Sequence, residues 1–201
     1  MRKENSGGKH DIAVAFSLLL AVLWPPAPPQ DFIMQTFLPY ANFHKSADVL
    51  DYRRHGKQRV EGRDTLVINT FVLYGKRIQV SKKYLQYLLR RYKNHPAVLM
   101  WRGYEKALKF YINVCMMHWR EKGYINNMPF YNDAMSVEEK DLPWWLGDRE
   151  FHKSHKMNLL RKNYDYYKKY FRREVKLYNK RIINRYQYYW PVTKENICHI
   201  T

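Results

Sequence analysis

The sequence predicts an all-α fold, a compact single-domain helical bundle, on three observations. In "SKKYLQYLLRRY", Leu85, Leu88, Leu89 and Tyr92 recur at i, i+3, i+4 and i+7, which is one face of a helix. Over residues 94–123, Ala97, Trp101, Tyr104, Leu108, Ile112, Cys115 and Trp119 make a long apolar stripe. Asn94 can cap that helix, Pro96 suits its first turn and Gly123 supplies the stop. Residues 149–190 are again helical in composition. With 201 residues, 46% of them hydrophobic, the chain is the size of one domain and can bury a sizeable core.

Taken in order, residues 1–33 differ from the rest. Arg2, Lys3 and Lys9 precede an apolar run, "IAVAFSLLLAVLW" (12–24), and "PPAPPQ" follows it. The run is short for a membrane span, which needs roughly 20 residues, and closer to a signal-peptide core of about 7–15. A secretory signal, a membrane anchor and an extension upstream of the working protein all remain open. The third is preferred, because everything that looks like a domain begins at Met34. Membrane contact is expected only through residues 12–24, and an intracellular location is expected over secretion or anchoring.

From Ser46, a candidate N-cap with Asp48 in the first turn, a helix is expected to about Gly56. The stretch 65–80, "TLVINTFVLYGKRIQV", is rich in β-branched residues and contains "YGK", so propensity permits a short hairpin there. Residues 125–148 read as loop, punctuated by Pro129, Pro143 and Gly147. The working domain is expected over 34–192, with 193–201 as a tail.

Charge points to the partner. Lys and Arg total 36 against 18 acidic residues, a net charge of +18, and the pI is near 9.8. Such a protein gathers polyanions, although charge alone does not separate nucleic acid from an anionic membrane. Residues 153–185 hold twelve Lys or Arg against Asp165 and Glu174, more than half of the whole excess, which favours a binding face. Most of the 18 tyrosines sit among Lys and Arg rather than in apolar runs, a mixture suited to phosphate contact with base stacking or, equally, to half-buried helix faces. Two cysteines, Cys115 and Cys198, give no disulfide framework and no Cys-rich zinc site.

Motifs narrow the chemistry. Neither a Gly-rich phosphate loop nor HExxH occurs, so nucleotide hydrolysis and zinc chemistry lose support, and no cofactor or metal is expected. His152 and His155 lie three apart in "FHKSH"; without a third ligand they signal metal weakly, and phosphate or base contact is preferred beside Lys153 and Lys156. "RRHGKQRVE" (53–61) packs Arg53, Arg54, Lys57 and Arg59 before a single acid, Glu61. Spacing alone favours Glu61 as a surface ion-pair partner of Arg54, Lys57 or Arg63 over a catalytic acid near a scissile sugar.

Several ordered blocks, "MQTFLPYANFHKSADVLDYRRHGKQRVE", "NHPAVLMWRGYEKAL" and "LPWWLGDREFHKSHKMNLLRK", closed by "YYWPV", resemble the pyrimidine-dimer DNA glycosylase (endonuclease V) family, in its branch beginning "MQTFLPY". The likeness runs from about Met34 to Val192. It implies a compact helical DNA repair enzyme that flips a nucleotide beside the lesion, cleaves the glycosidic bond and breaks the strand as an AP lyase. Its nucleophile is the α-amine of the first residue, which forms a Schiff base with C1′, and a Glu assists.

Carried onto this chain, the resemblance implies Met34 and Glu61 as the catalytic pair. Arg53, Arg54, Lys57, Arg59 and Arg63 then hold the DNA backbone; His152, His155, Lys156 and Lys162 come from a later helix; Arg185, Tyr186, Tyr188, Tyr189 and Trp190 form an aromatic, basic C-terminal contact. Duplex DNA is the implied partner and a monomer the expected state. Two departures stand out. Bulky Gln35 follows Met34, so Met would be retained, and a chain translated from Met1 has no free amine at Met34. In that event Lys57 would replace the nucleophile or the lyase step would be absent. The rival expectation is a non-catalytic basic nucleic-acid-binding protein with the same fold.

Overall fold

Asp51 starts the longest helix among the described residues. Its side chain accepts the Arg54 N–H as an N-cap, and α2 (Tyr52–Tyr74, 23 residues) then runs to Gly75, whose φ of 63° closes it in the left-handed region. The structure, a computed structural model, describes residues 34–192, all within a unit that begins at Met34. The apolar run 12–24, Cys198 and the tail 193–201 lie outside the described residues. Among the described residues every regular element is helical, as the sequence predicts, and there is no strand.

Three expectations about local structure change. The helix expected from Ser46 to Gly56 is two helices. Asn42 caps α1 (Phe43–Asp48) by accepting the Lys45 N–H, and Ser46 is buried inside it with its hydroxyl donating to the Tyr40 carbonyl at 2.8 Å. Asp51 then opens α2, so "RRHGKQRVE" fills that helix's first three turns rather than a helix end. The hairpin permitted at 65–80 is absent, because α2 continues to Tyr74 with Leu66, Val67 and Ile68 fully buried. Burial outweighs β-branched propensity there, and Gly75 acts as a C-cap instead of a hairpin turn.

The long helix expected over 94–123 is also divided. His95, not Asn94, caps α4 (Pro96–Leu99); a turn ending at Gly103 (φ 86°) follows, and α5 (Glu105–Glu121) continues. The turn places Trp101 in the centre of the core, stacked on Tyr111 at 5.8 Å and edge-on to Trp145 at 5.0 Å. The helix over 82–92 is present as α3 (Lys82–Tyr92), capped by Ser81, with Leu85, Leu88 and Tyr92 buried.

Helices α2 and α5 make the central pair. Their backbones approach at Gly62, where an added Cβ would stand 2.8 Å from Ile112 Cγ1. A loop with 3₁₀ turns at Asn132–Ala134 and Glu139–Asp141 leads to α6 (Arg149–Lys162), capped by Asp148. Then come α7 (Tyr164–Tyr167), α8 (Arg172–Leu177), α9 (Lys180–Arg185) and a closing extended stretch. The N-terminus of α2 is latched to α7 and α6. The Tyr167 hydroxyl donates to Asp51 Oδ2 at 2.7 Å, and Arg54 Nη2 donates to the Lys162 carbonyl at 3.2 Å. No helix among the described residues is long and apolar enough to cross a membrane.

Candidate active site around Glu61

The site begins with residues 34–38, which are buried and belong to no helix or strand. Such a segment must find other partners for its backbone groups, and here side chains supply them. Gln58 Oε1 accepts the Phe37 N–H at 2.7 Å and its Nε2 donates to the Gln35 carbonyl at 3.2 Å. The Tyr111 hydroxyl lies 2.8 Å from Gln58 Oε1 and 3.1 Å from the Phe37 carbonyl. His155 Nδ1 accepts the Leu38 N–H at 3.2 Å, and His152 Nδ1 sits 2.7 Å from the Leu38 carbonyl. Trp101 Nε1 donates to Thr36 Oγ1 at 2.9 Å. The Met34 side chain is buried in an apolar cluster with Val67, Ile68, Leu85, Leu88, Tyr92 and Val98.

Glu61 stands one turn beyond Gln58 and is 4% exposed. The surface ion pair favoured by its spacing is therefore corrected: this acid lies inside the protein. Burial pushes its carboxyl up to about 8; Lys57 and Lys162 oppose the rise, Asp64 adds to it, and a hydrogen bond from the Gln35 backbone opposes it weakly. The Gln58 amide contributes little, at 3.5 Å. A carboxylic acid that keeps its proton at neutral pH can give it to a substrate oxygen and take one back later. It is held against the residue that follows Met34.

The basic residues of 53–63 separate by helical geometry. Positions 54, 57 and 61 share one face, and residues 59 and 63 another. Arg54 pairs with Asp51 at 2.8 Å, and Lys57 flanks Glu61. Arg53 is exposed. On the second face Arg59 lies 4.4 Å over the Trp119 ring and donates to Asn126 at 2.6 Å, while Arg63 bonds Asp64 at 3.2 Å. Arg59 and Arg63 are thus engaged by the protein, away from the Glu61 side.

His152 and His155 are likewise reassigned. Both are buried and hold the Leu38 backbone, and Gly147 N–H donates to His152 Nε2 at 2.9 Å. Burial pushes the His155 imidazole down to about 3, so it stays neutral. A phosphate cannot reach the fully buried His155 ring, His152 is 8% exposed with both ring nitrogens engaged by backbone, and both residues place residues 34–38. Among the described residues no group of three or more His, Cys, Asp or Glu is arranged to hold a metal ion.

The other expected contacts are spread more widely. Lys156 pairs with Glu174 at 3.2 Å and lies 5.1 Å from the Tyr40 ring. Lys162, at the end of α6, lies on the Glu61 side. The C-terminal aromatics are mixed: Tyr189 and Arg185 are exposed, and Tyr186 reaches Glu150 at 3.4 Å. Tyr188 and Trp190, by contrast, turn inward. They stack on each other at 5.0 Å, and both meet His155 edge-on. The Tyr188 hydroxyl is buried without a hydrogen-bond partner, and Glu61, Arg54 and Arg161 are its charged neighbours. Gln58, Tyr111 and Arg161 were missed in the sequence, where a buried Gln and an exposed one look alike.

A family model described as Pyrimidine dimer DNA glycosylase matches residues 34–132. No curated protein and no solved structure matches the chain. The match opens at Met34 and includes Glu61 and helices α1 to α5. Over residues 34–132, the chain belongs to the pyrimidine dimer DNA glycosylase family.

Proposed function

We propose that the protein, when its first residue is Met34, is a DNA glycosylase with AP-lyase activity on pyrimidine-dimer-type lesions in duplex DNA. One observation carries this reading: Glu61, buried and raised to about 8, is hydrogen bonded by the residue next to Met34. An α-amine has a pKa of about 7.7–8.0, so a useful fraction is neutral near pH 7 and can act as a nucleophile.

In the proposed sequence the neutral Met34 amine forms a bond to C1′ while the glycosidic bond breaks. The electron pair leaves with the base, which takes the proton shed by the amine. Glu61 then protonates O4′ as the sugar ring opens, leaving a C1′ iminium. As a carboxylate beside that cation it removes a C2′ proton, and the electrons expel the 3′ phosphate. Lys57 and Lys162 flank the acid, Arg54 and Arg161 lie beside Lys162, and the four suit the phosphates on either side of the lesion. Arg53, Arg185 and Tyr189 extend the contact over the exposed surface.

The test uses protein beginning at Met34, a duplex with an abasic site, and borohydride. A covalent adduct on the Met34 amine is expected, and Glu61→Gln is expected to lower cleavage of damaged duplex by about 10² or more while binding persists. DNA binding with neither adduct nor cleavage would instead mean that the fold serves binding alone.

A further inference from the structure

We infer that Lys162 is a second Schiff-base amine of the Glu61 site, one that serves when residues precede Met34 and no α-amine is free there. The inference rests on the lyase reading above and extends it to the chain that carries residues 1–33.

Placement comes first. Lys162 is the last residue of α6, and its carbonyl accepts Arg54 Nη2 at 3.2 Å, which ties this end of α6 to the face of α2 that bears Glu61. Its ammonium lies 5.9 Å from the Phe37 ring, within the segment that Gln58 pins beside Glu61. Lys162 and Glu61 are electrostatic neighbours, so one amine and one acid border the same space.

The surroundings then suit nucleophilic work. A lysine amine becomes available near neutral pH when it is desolvated or set beside other cations. Lys162 has both. The residue is exposed as a whole, yet its charged end is partly covered. That desolvation is the first cause of its lowered pKa, followed by Arg54, Arg161 and Lys57, with Glu61 opposing. Of the lysines near the acid, Lys57 lies on the same helix as Glu61, whereas Lys162 approaches from a different helix.

The step balances without any resident co-reactant. The neutral Nζ adds its electron pair to the C1′ aldehyde of an opened abasic sugar. Glu61 protonates the resulting hydroxyl, water departs, and a C1′ iminium remains. Glu61, now a carboxylate, takes a C2′ proton, and the electron pair expels the 3′ phosphate. Hydrolysis of the imine returns the amine. With borohydride present, hydride adds to C1′ instead and fixes the adduct as a secondary amine.

The experiment compares protein beginning at Met1, its intact mass confirming that residues 1–33 are attached, with protein beginning at Met34. Both are incubated with an abasic-site duplex and borohydride, and the adducts are mapped by peptide mass. The Met1 form is expected to trap DNA on Lys162. Lys162→Arg, with an unchanged unfolding midpoint, is expected to reduce that adduct at least ten-fold while keeping the charge. An adduct on Lys57, or none from the Met1 form while the Met34 form traps on its α-amine, overturns the inference and leaves the lyase reading standing. No adduct from either form overturns both.

Discussion

Gln58 accepts the Phe37 amide at 2.7 Å, and the same side-chain amide donates to the Gln35 carbonyl at 3.2 Å. One glutamine therefore does for this stretch of backbone what a neighbouring strand would do in a sheet. Gln58→Leu keeps the approximate volume but leaves the Phe37 N–H and the Gln35 carbonyl buried without partners. Each such group costs about 1–3 kcal/mol, so a loss of about 2–5 kcal/mol in unfolding free energy is expected. Urea unfolding measures it. A loss under about 0.5 kcal/mol, the range of ordinary surface substitutions, would show that the segment is held by apolar packing alone.

Glu61 links stability to pH. Its folded value of about 8 lies above the ordinary 4.5 of a free glutamate, so the contribution is fully present below about 4.5 and is lost as pH rises through 8. A tenfold difference in proton affinity between the folded and unfolded chain is worth about 1.4 kcal/mol, which puts the loss by pH 9 at a few kcal/mol. Gln stays neutral throughout. Wild type and Glu61→Gln are expected to have similar unfolding midpoints at pH 5 and to diverge toward pH 9, with the variant the more stable. Midpoints that stay parallel across that range would mean that the acid is not desolvated in the folded state.

The fold class was legible because α3 follows a simple rule: Leu85, Leu88 and Tyr92 are apolar, evenly spaced and buried. Helix α2 broke that rule. It is packed on several sides, and its buried residues include His55, Gln58, Glu61, Asp64 and Asn69, so the polar residues that define the site also hide the helix's inner face. Its second half carries the β-branched residues Val67, Ile68 and Val72, and propensity alone does not reveal that burial decides there. In the 94–123 segment the stripe through Trp101 was legible, yet Gly103 breaks the helix at a place where the apolar spacing continues undisturbed. For the site, Glu61 was found through the resemblance. The roles of His152 and His155 were not, because their partner is the Leu38 backbone, more than a hundred positions away, and a backbone partner leaves no mark in sequence.

Gly62 precedes Thr65 by one turn and lies where α2 meets α5. An alanine there gains about 1 kcal/mol in helix propensity, but its Cβ would stand 2.8 Å from Ile112 Cγ1, an atom fixed close to the α5 backbone in a fully buried side chain. Overpacking of this kind typically costs about 1–3 kcal/mol, so Gly62→Ala is expected to destabilise the protein by up to about 2 kcal/mol net. Ile112→Ala removes the clashing atom. The double variant is therefore expected to be more stable than the sum of the two single losses, and strict additivity in a thermal unfolding cycle would contradict the close helix contact.

Tyr188 gives the last prediction. Its hydroxyl is buried without a partner beside Glu61, Arg54 and Arg161, and burial raises its pKa, so it remains a neutral donor. A buried donor without a protein partner costs the free protein stability that a substrate oxygen can restore. Tyr188→Phe keeps the stacking on Trp190 and removes only the oxygen. The expected result is an unfolding free energy unchanged or raised by up to about 1 kcal/mol, together with cleavage of damaged duplex slowed about ten-fold, the worth of roughly one hydrogen bond made only with substrate. Equal cleavage by the two proteins would reduce Tyr188 to a packing ring. A fall in both stability and cleavage would mean that the hydroxyl has a structural partner in solution.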